Sequence, residues 1–272
     1  MNIRNRIILL IDFSEYSENL TDFAFTISEI INAKVVFAHQ ISGIAPGMAD
    51  RETKDEIVKA ELQEVYSKLL KLAKRRVYSE DSFYVSQKSI LTILKELTSK
   101  DYFDWVFAGL KGTGVLKSLF IGSTILSIIN KSDLLTMVVP ARSQISVPEK
   151  LMVGVNPKYS MNKHQFGVVL DALRCQIKTL EFFTVLKVDA DEEKAKNHLL
   201  GLQTEYEVHK PGIQLYKGNR AFDFLKDRVE LTENSFLVLQ QRSRSISDKL
   251  FRKFMINELV YGGQTPLTVL SK

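Results

Sequence analysis

One order of apolar runs and helical patterns is written twice in this chain, and that repetition limits its fold more than any other feature. The first copy opens with Ile7-Ile8-Leu9-Leu10-Ile11, too short for a helix and bounded by polar residues, which reads as a buried strand. Over residues 17–31, Leu20, Phe23, Ala24, Ile27, Ile30 and Ile31 recur at spacings of three and four, the pattern of an amphipathic helix. A strand at 35–38, a Gly/Pro loop at 42–47, a long helix at 54–76 and a short strand at 83–85 follow. Residues 90–97 read as a helix, 105–108 as a strand, 118–130 as a helix and 135–139 as a fifth strand ended by Pro140.

The second copy keeps the order. Strands are expected at 151–155, 181–186, 206–208, 236–239 and 267–270, and helices at 161–175, 191–202, 221–229 and 248–260. The first strands start 144 residues apart, at Ile7 and Leu151, and the last start 132 apart, at Leu135 and Leu267. At roughly 100–200 residues per domain, 272 residues suit two domains. We place them at 1–144 and 145–272. Strand–helix alternation builds parallel sheets flanked by helices and joined by right-handed crossovers. The fold class expected is therefore α/β, as two tandem five-stranded parallel sheets of the Rossmann-like kind. The closing strands of the two copies are short and apolar, and an unpaired apolar edge strand is a liability.

Composition narrows the setting. Cys175 is the only cysteine, which excludes an intrachain disulfide framework and fits a reducing compartment. No run approaches the roughly 18 apolar residues of a membrane span. The net charge of +5 includes no dense basic stripe, so neither nucleic acid nor a membrane is expected as a partner, and the location expected is the cytoplasm. The four histidines are scattered without metal-ligand spacing, and no carboxylate pair suggests hydrolysis.

In doubly wound sheets, ligands bind beyond the carboxyl ends of the strands where strand order reverses. The segment after the expected fourth strand reads Gly109-Leu110-Lys111-Gly112, then reaches Gly122-Ser123-Thr124. Two residues separate Gly109 from Gly112, and nine separate Gly112 from Gly122. Glycines let backbone N–H groups approach a phosphate, and a following helix N-terminus adds further donors. The loop lacks the Walker A lysine, and the first strand is followed by Asp12-Phe13-Ser14, not by the glycines of a dinucleotide fingerprint. Read by themselves, the glycine loop can be a plain turn and Asp12 a helix N-cap.

The spacing Gly-x2-Gly-x9-Gly-Ser, the strand followed by Asp12-Phe13-Ser14-Glu15, and the duplication together resemble the universal stress protein family. The closest match is its tandem two-domain branch with an ATP-binding-type motif in the first domain. The resemblance implies an adenine-nucleotide alpha-hydrolase-like fold and ATP, or another adenine nucleotide, as ligand, with Mg²⁺ a candidate companion. In this family the closing strands pair between domains, so the resemblance also implies that residues 135–139 and 267–270 pair antiparallel, as an intrachain pseudo-dimer. It places Asp12 at the adenosine end with Phe13 and Ser14 beside it, and Gln40 along the adenine pocket. Ala108 and Gly109 would lie against the nucleotide, and Gly112, Gly122, Ser123 and Thr124 would hold the phosphates. Two departures stand out: Gln87-Lys88-Ser89-Ile90 where the family often has Gly-x-Pro, and Lys111 where many members carry His.

The second copy lacks these signals. Asn156 stands where Asp12 does, and the segment after its fourth strand, from Gln240 to Asp248, contains no glycine. Met255-Ile256-Asn257 replaces the Gly-Ser step, and Arg242, Arg244, Lys249, Arg252 and Lys253 form a basic cluster instead. One nucleotide per chain is expected, in the first copy. Two functions remain open: a stress or signalling protein that binds a nucleotide with at most slow hydrolysis, or a scaffold of the same fold whose glycine loop binds nothing. Either leaves room for a homodimer and an unidentified protein partner.

Overall fold

The computed structural model describes residues 4–41, 51–77, 79–110, 123–141, 143–186, 188, 190–218, 220–241 and 265–272. Two compact units emerge, residues 1–109 and 110–272.

The first unit contains β1 (Arg4–Leu10), α1 (Ser17–Ile31), β2 (Ala33–Gln40), α2 (Arg51–Ala73), β3 (Phe83–Ser86), α3 (Ile90–Leu97) and β4 (Tyr102–Leu110). Its strands lie in the order β3-β2-β1-β4, all parallel. α1 spans the residues expected, because its apolar stripe of Leu20, Phe23, Ala24, Ile27 and Ile31 is buried. It ends at Asn32, which takes the left-handed conformation (φ 50°) and returns its N–H to Ser28 O. The long second helix starts at Arg51, three residues earlier than the sequence pattern suggests, and it also ends three residues earlier, because Lys74 and Arg75 are both left-handed, with φ of 48° and 61°. Lys74 binds Glu18 and Asp22 of α1 at 2.6 and 3.0 Å, and Arg76 also binds Asp22. These pairs fasten the end of α2 to α1.

The second unit contains α4 (Ser123–Lys131), β5 (Leu135–Pro140), β6 (Lys150–Gly154), α5 (Lys163–Leu173), β7 (Thr179–Leu186), α6 (Glu192–Glu205), β8 (Gly212–Lys217), α7 (Ala221–Glu230), β9 (Ser235–Gln240) and β10 (Leu267–Leu270). The second copy forms the expected five-stranded parallel sheet, β10-β9-β6-β7-β8. β5 adds to its β10 edge as an antiparallel strand, with Leu267 opposite Val138 and Val269 opposite Thr136. The closing strands thus pair with each other as expected. That pairing is why β5, written in the first copy, is compact with the second.

One strand lies elsewhere than expected. Residues 207–209 form a 3₁₀ turn, and the third strand of the second copy is β8, at 212–217. Tyr206 is drawn away from strand geometry by the core: it caps α6 and sets its ring 5.3 Å from Phe166 and 5.4 Å from Phe182. The helix expected at 248–260 and the first residues of the one expected at 118–130 lie outside the described residues.

Each unit buries an ionic cluster near the amino ends of its strands. In the first, Arg6 on β1 binds Asp104 on β4 through two hydrogen bonds, of 2.6 and 3.0 Å, and donates to Leu97 O at 2.5 Å. In the second, Glu181 on β7 accepts from Lys150 at 3.0 Å and from Arg228 at 3.1 and 2.6 Å. Burial alone would raise the Glu181 pKa, but the hydrogen bonds from Arg228 and Lys150 outweigh it and hold the carboxyl below its ordinary value of 4.5.

Gly154 at the end of β6 faces a crowded wall. A Cβ there would lie 2.6 Å from Leu239 Cδ2 and 2.9 Å from Phe183 Cζ. Gly154→Ala is therefore expected to destabilise the chain by about 1–3 kcal/mol in urea titration. Combined with Leu239→Ala, the total loss should fall short of the sum of the two single losses, because the second change removes one of the clashing atoms. Glu181→Gln is expected to cost about 3 kcal/mol at pH 7, since two cations lose their buried partner. Because the folded-state pKa is lowered, the carboxylate stabilises the fold above the ordinary value of 4.5 and stops doing so as pH falls through the lowered one. Melting temperatures of wild type and variant should therefore converge as the pH is lowered below 4.5, whereas a constant gap would contradict the assignment.

Candidate functional site

In the first unit β1 lies between β2 and β4, so strand order reverses between β1 and β4. Register places Leu10 opposite both Ala38 and Ala108, which brings the carboxyl ends of β1, β2 and β4 side by side. Six of the sequence-selected residues meet at this edge: Asp12, Phe13, Ser14, Gln40, Ala108 and Gly109.

Past Leu10, the Ile11 N–H donates to Ala38 O at 3.0 Å, and the chain then turns. Asp12 is exposed, and its Oδ1 accepts from Ser14 N at 3.0 Å and from the Ser17 hydroxyl at 3.3 Å. The first of these closes an Asx turn. Asp12 is not the N-cap of α1; that position is Tyr16, which makes no side-chain cap bond. Phe13 has φ of 54°, in the left-handed region that bulky residues rarely adopt. Its ring rests on His39, with centroids 4.6 Å apart, and the Lys68 ammonium of α2 stands 5.7 Å above it. His39 Nδ1 lies 2.7 Å from Ile11 O; a carbonyl only accepts, so this nitrogen carries the proton.

β4 closes the other side of the edge with small residues. Ala108 is buried opposite Leu10. Gly109 follows it, and a Cβ there would sit 3.4 Å from Leu20 Cδ2 of α1. Gln40 ends β2, exposed, opposite Ser86. Ser123 and Thr124 open α4 in the second unit, Thr124 exposed, where the first turn of a helix has N–H groups without intrahelical partners. Gly112 and Gly122 lie outside the described residues, as does the basic cluster Arg242, Arg244, Lys249, Arg252 and Lys253.

Sequence reading missed His39 and Lys68. His39 adjoins Gln40 and could have been found as the residue before a selected strand end. Nothing in the sequence pairs Lys68 with Phe13, because the contact depends on how α2 lies over the sheet edge.

The second unit repeats the turn but fills the edge. Asn156 Oδ1 accepts from Lys158 N at 2.9 Å, the same Asx turn as at Asp12. The paired registers make Leu239 the counterpart of Ala108, and Gln240 that of Gly109. Gln240 Oε1 accepts from Asn162 N at 2.6 Å, and its Nε2 donates to Ser271 O at 2.6 Å and to Gln241 O at 3.1 Å. Side chains therefore occupy a sheet edge whose counterpart in the first unit carries Ala108 and Gly109.

Among the described residues, no group of three or more His, Cys, Asp or Glu is placed to hold a metal ion. No described helix is long and apolar enough to cross a membrane.

Comparison with known proteins agrees with this architecture. A universal stress protein from Archaeoglobus fulgidus DSM 4304 superposes with a TM-score of 0.67 at 13% identity, over 100% of this chain and 99% of the other. A functionally unknown protein from Pseudomonas aeruginosa PAO1 gives 0.57 at 13% identity, over 98% and 92%. The cytoplasmic domain of a prokaryotic cation chloride cotransporter gives 0.51 at 12% identity, over 98% and 95%. At such identities the likeness is one of fold. No curated protein sequence matches the chain. The sequence profile of the universal stress protein family, however, matches residues 4–140, the stretch from β1 through β5 and half of the chain. The doubly wound sheets, the Asp12 turn and the small pair Ala108-Gly109 near the end of β4 stand in a chain that belongs to the universal stress protein family.

Proposed function

We propose that this stress-response protein binds ATP or a related adenine nucleotide at the carboxyl edge of its first copy, with little or no hydrolysis. The observation that carries the reading is the contrast between two equivalent sheet edges. Near the end of β4, Ala108 and Gly109 carry no bulk before the final Leu110, whereas Leu239 and Gln240 occupy the matching places in β9 and Gln240 bonds to Asn162 and Ser271. The residues present suit the ligand. Asp12 offers an exposed carboxylate to ribose or base, held in place by Ser14 N and Ser17 Oγ. Gln40 offers an exposed amide beside it, and Phe13 on His39 offers an aromatic wall. Gly112, Gly122, Ser123 and Thr124 would supply phosphate donors, with Mg²⁺ as a candidate companion. Among the described residues no general base or arginine finger is identified beside these groups, which favours retention over turnover. Binding would then alter how the protein engages other proteins in the cytoplasm, as a single chain or as a homodimer.

Titration calorimetry on the intact chain tests this directly. One ATP per chain is expected. Asp12→Ala should weaken binding about ten- to a hundredfold, the effect of losing a charge-assisted hydrogen bond worth roughly 1.5–3 kcal/mol. Asn156→Ala should leave binding unchanged. Two equivalent sites, or none, would overturn the proposal, and none would favour the scaffold.

The phosphate side has its own test. Gly122→Val places a branched side chain where phosphate must approach the backbone. ATP binding should be lost while the thermal melt followed by circular dichroism stays near wild type. Retained binding would mean that the loop only connects β4 to α4.

A further inference from the structure

The antiparallel joint between β5 and β10 poses a register problem that its strands do not solve. Every residue of β5 is buried, and so is every residue of β10. Register is normally set by burying one face of a strand and exposing the other. Here both faces are buried, so a slip by two residues would return each side chain to the face it left. β10 itself is held on its other side. Its ladder with β9 is extended by Leu237 N to Pro266 O at 3.0 Å and Gln241 N to Leu270 O at 2.8 Å. What must be fixed is β5 against β10.

Gln165, in the first turn of α5, stands at that point. It is only 6% exposed. Its Nε2 donates to Asp133 O at 3.1 Å, two residues before β5, and its Oε1 accepts from Ser271 N at 2.7 Å, one residue after β10. The observed register runs Leu267–Val138, Thr268–Met137, Val269–Thr136. Continued outward, it sets Ser271 opposite Leu134, next to Asp133. One side-chain amide therefore spans the two strands just where their ladder ends. A two-residue slip would carry Asp133 O away by about 6.8 Å, beyond the reach of the amide that still holds Ser271.

The amide is itself held. Asn162 Oδ1 accepts from Gln165 N at 3.0 Å, which fixes the helix turn that bears it. Asn162 Nδ2 lies 3.3 Å from Ser271 O, and Gln240 Nε2 lies 2.6 Å from the same oxygen. The partners are neutral amides and backbone groups, so the clamp is insensitive to salt and to pH across the neutral range.

We propose that Gln165 is the register pin of the β5·β10 joint, a positioning residue that admits one alignment of two strands which pattern alone would let slide. The test uses the full-length chain with labelled Ile, Leu, Val and Met methyl groups, and reads cross-strand nuclear Overhauser contacts. Wild type should show Val138 against Leu267. Gln165→Met keeps the volume but removes both hydrogen bonds. It should give a second set of contacts displaced by two residues, with the Val138–Leu267 contact weakened at least about twofold, while ATP affinity serves as an independent reading of the first copy. Gln165→Glu can accept from Ser271 N but, when ionised, cannot donate to Asp133 O, and should show the same second set at pH 7. A folded Gln165→Met chain with the wild-type contacts at full intensity would overturn the proposal. Should both variants fail to fold, hydrogen exchange on wild type decides: the Ser271 amide must exchange as slowly as those within β10, and fast exchange would overturn the pin.

Discussion

The pairing of β1 with β4, with β2 on the other flank of β1, is the arrangement on which the rest of the molecule's functional geometry depends. It makes the strand order reverse, and at a reversal the connections leaving neighbouring strands depart to opposite faces of the sheet. An open edge results, bounded by whatever residues end the two strands. In the first unit that reversal sets the turn at Asp12 beside the small pair Ala108 and Gly109. In the second, β6 pairs with β9 in the corresponding way, and the same turn forms at Asn156. One backbone plan thus yields two edges, and side-chain volume separates them. Leu10 faces Ala108 in one; Gly154 faces Leu239 in the other.

Charge is divided along each sheet in a way that suits this plan. The buried ionic clusters, Arg6 with Asp104 and Glu181 with Lys150 and Arg228, lie near the amino ends of the strands. The Arg6–Asp104 pair is neutral as a unit, whereas the Glu181 cluster keeps one positive charge in excess, with Arg228 half exposed to solvent. The exposed carboxylate of Asp12 is at the carboxyl edge, where a ligand can reach it. The second unit replaces charge there with neutral amides, Asn162, Gln165 and Gln240, which bond to one another's neighbours and to the end of β10. Amides can satisfy donors and acceptors together without the desolvation cost of an ion. They are suited to closing a joint between strands.

Much of the site was legible because it is local. Asp12, Phe13 and Ser14 follow directly on a strand, and Ala108 and Gly109 lie near the end of another, so strand prediction alone puts them at the sheet's carboxyl edge. His39 and Lys68 were not legible as site residues. Their place beside the Asp12 turn follows from the left-handed conformation of Phe13, whose ring packs against His39 and lies under the Lys68 ammonium of α2. A phenylalanine gives no hint of positive φ in the sequence. The third strand of the second copy was misplaced for a related reason. Tyr206-Glu207-Val208 has strand-like composition, but the tyrosine ring is worth more packed between Phe166 and Phe182 than on a sheet.

The sequence by itself determined the repeat, the α/β class, the order of the described elements, and which residues lie about the carboxyl ends of β1 and β4, because periodicity and strand-end chemistry are properties of neighbouring residues. It also marked the asymmetry between the copies, through Asn156 and the missing glycines. Tertiary structure decided which strands meet. It put β5 against β10, gave Gln165 two partners 32 and 106 residues away, and turned Gln240 into a bond across the second edge. Those contacts rest on distances that close only when helices and sheets have packed, and no local pattern encodes them.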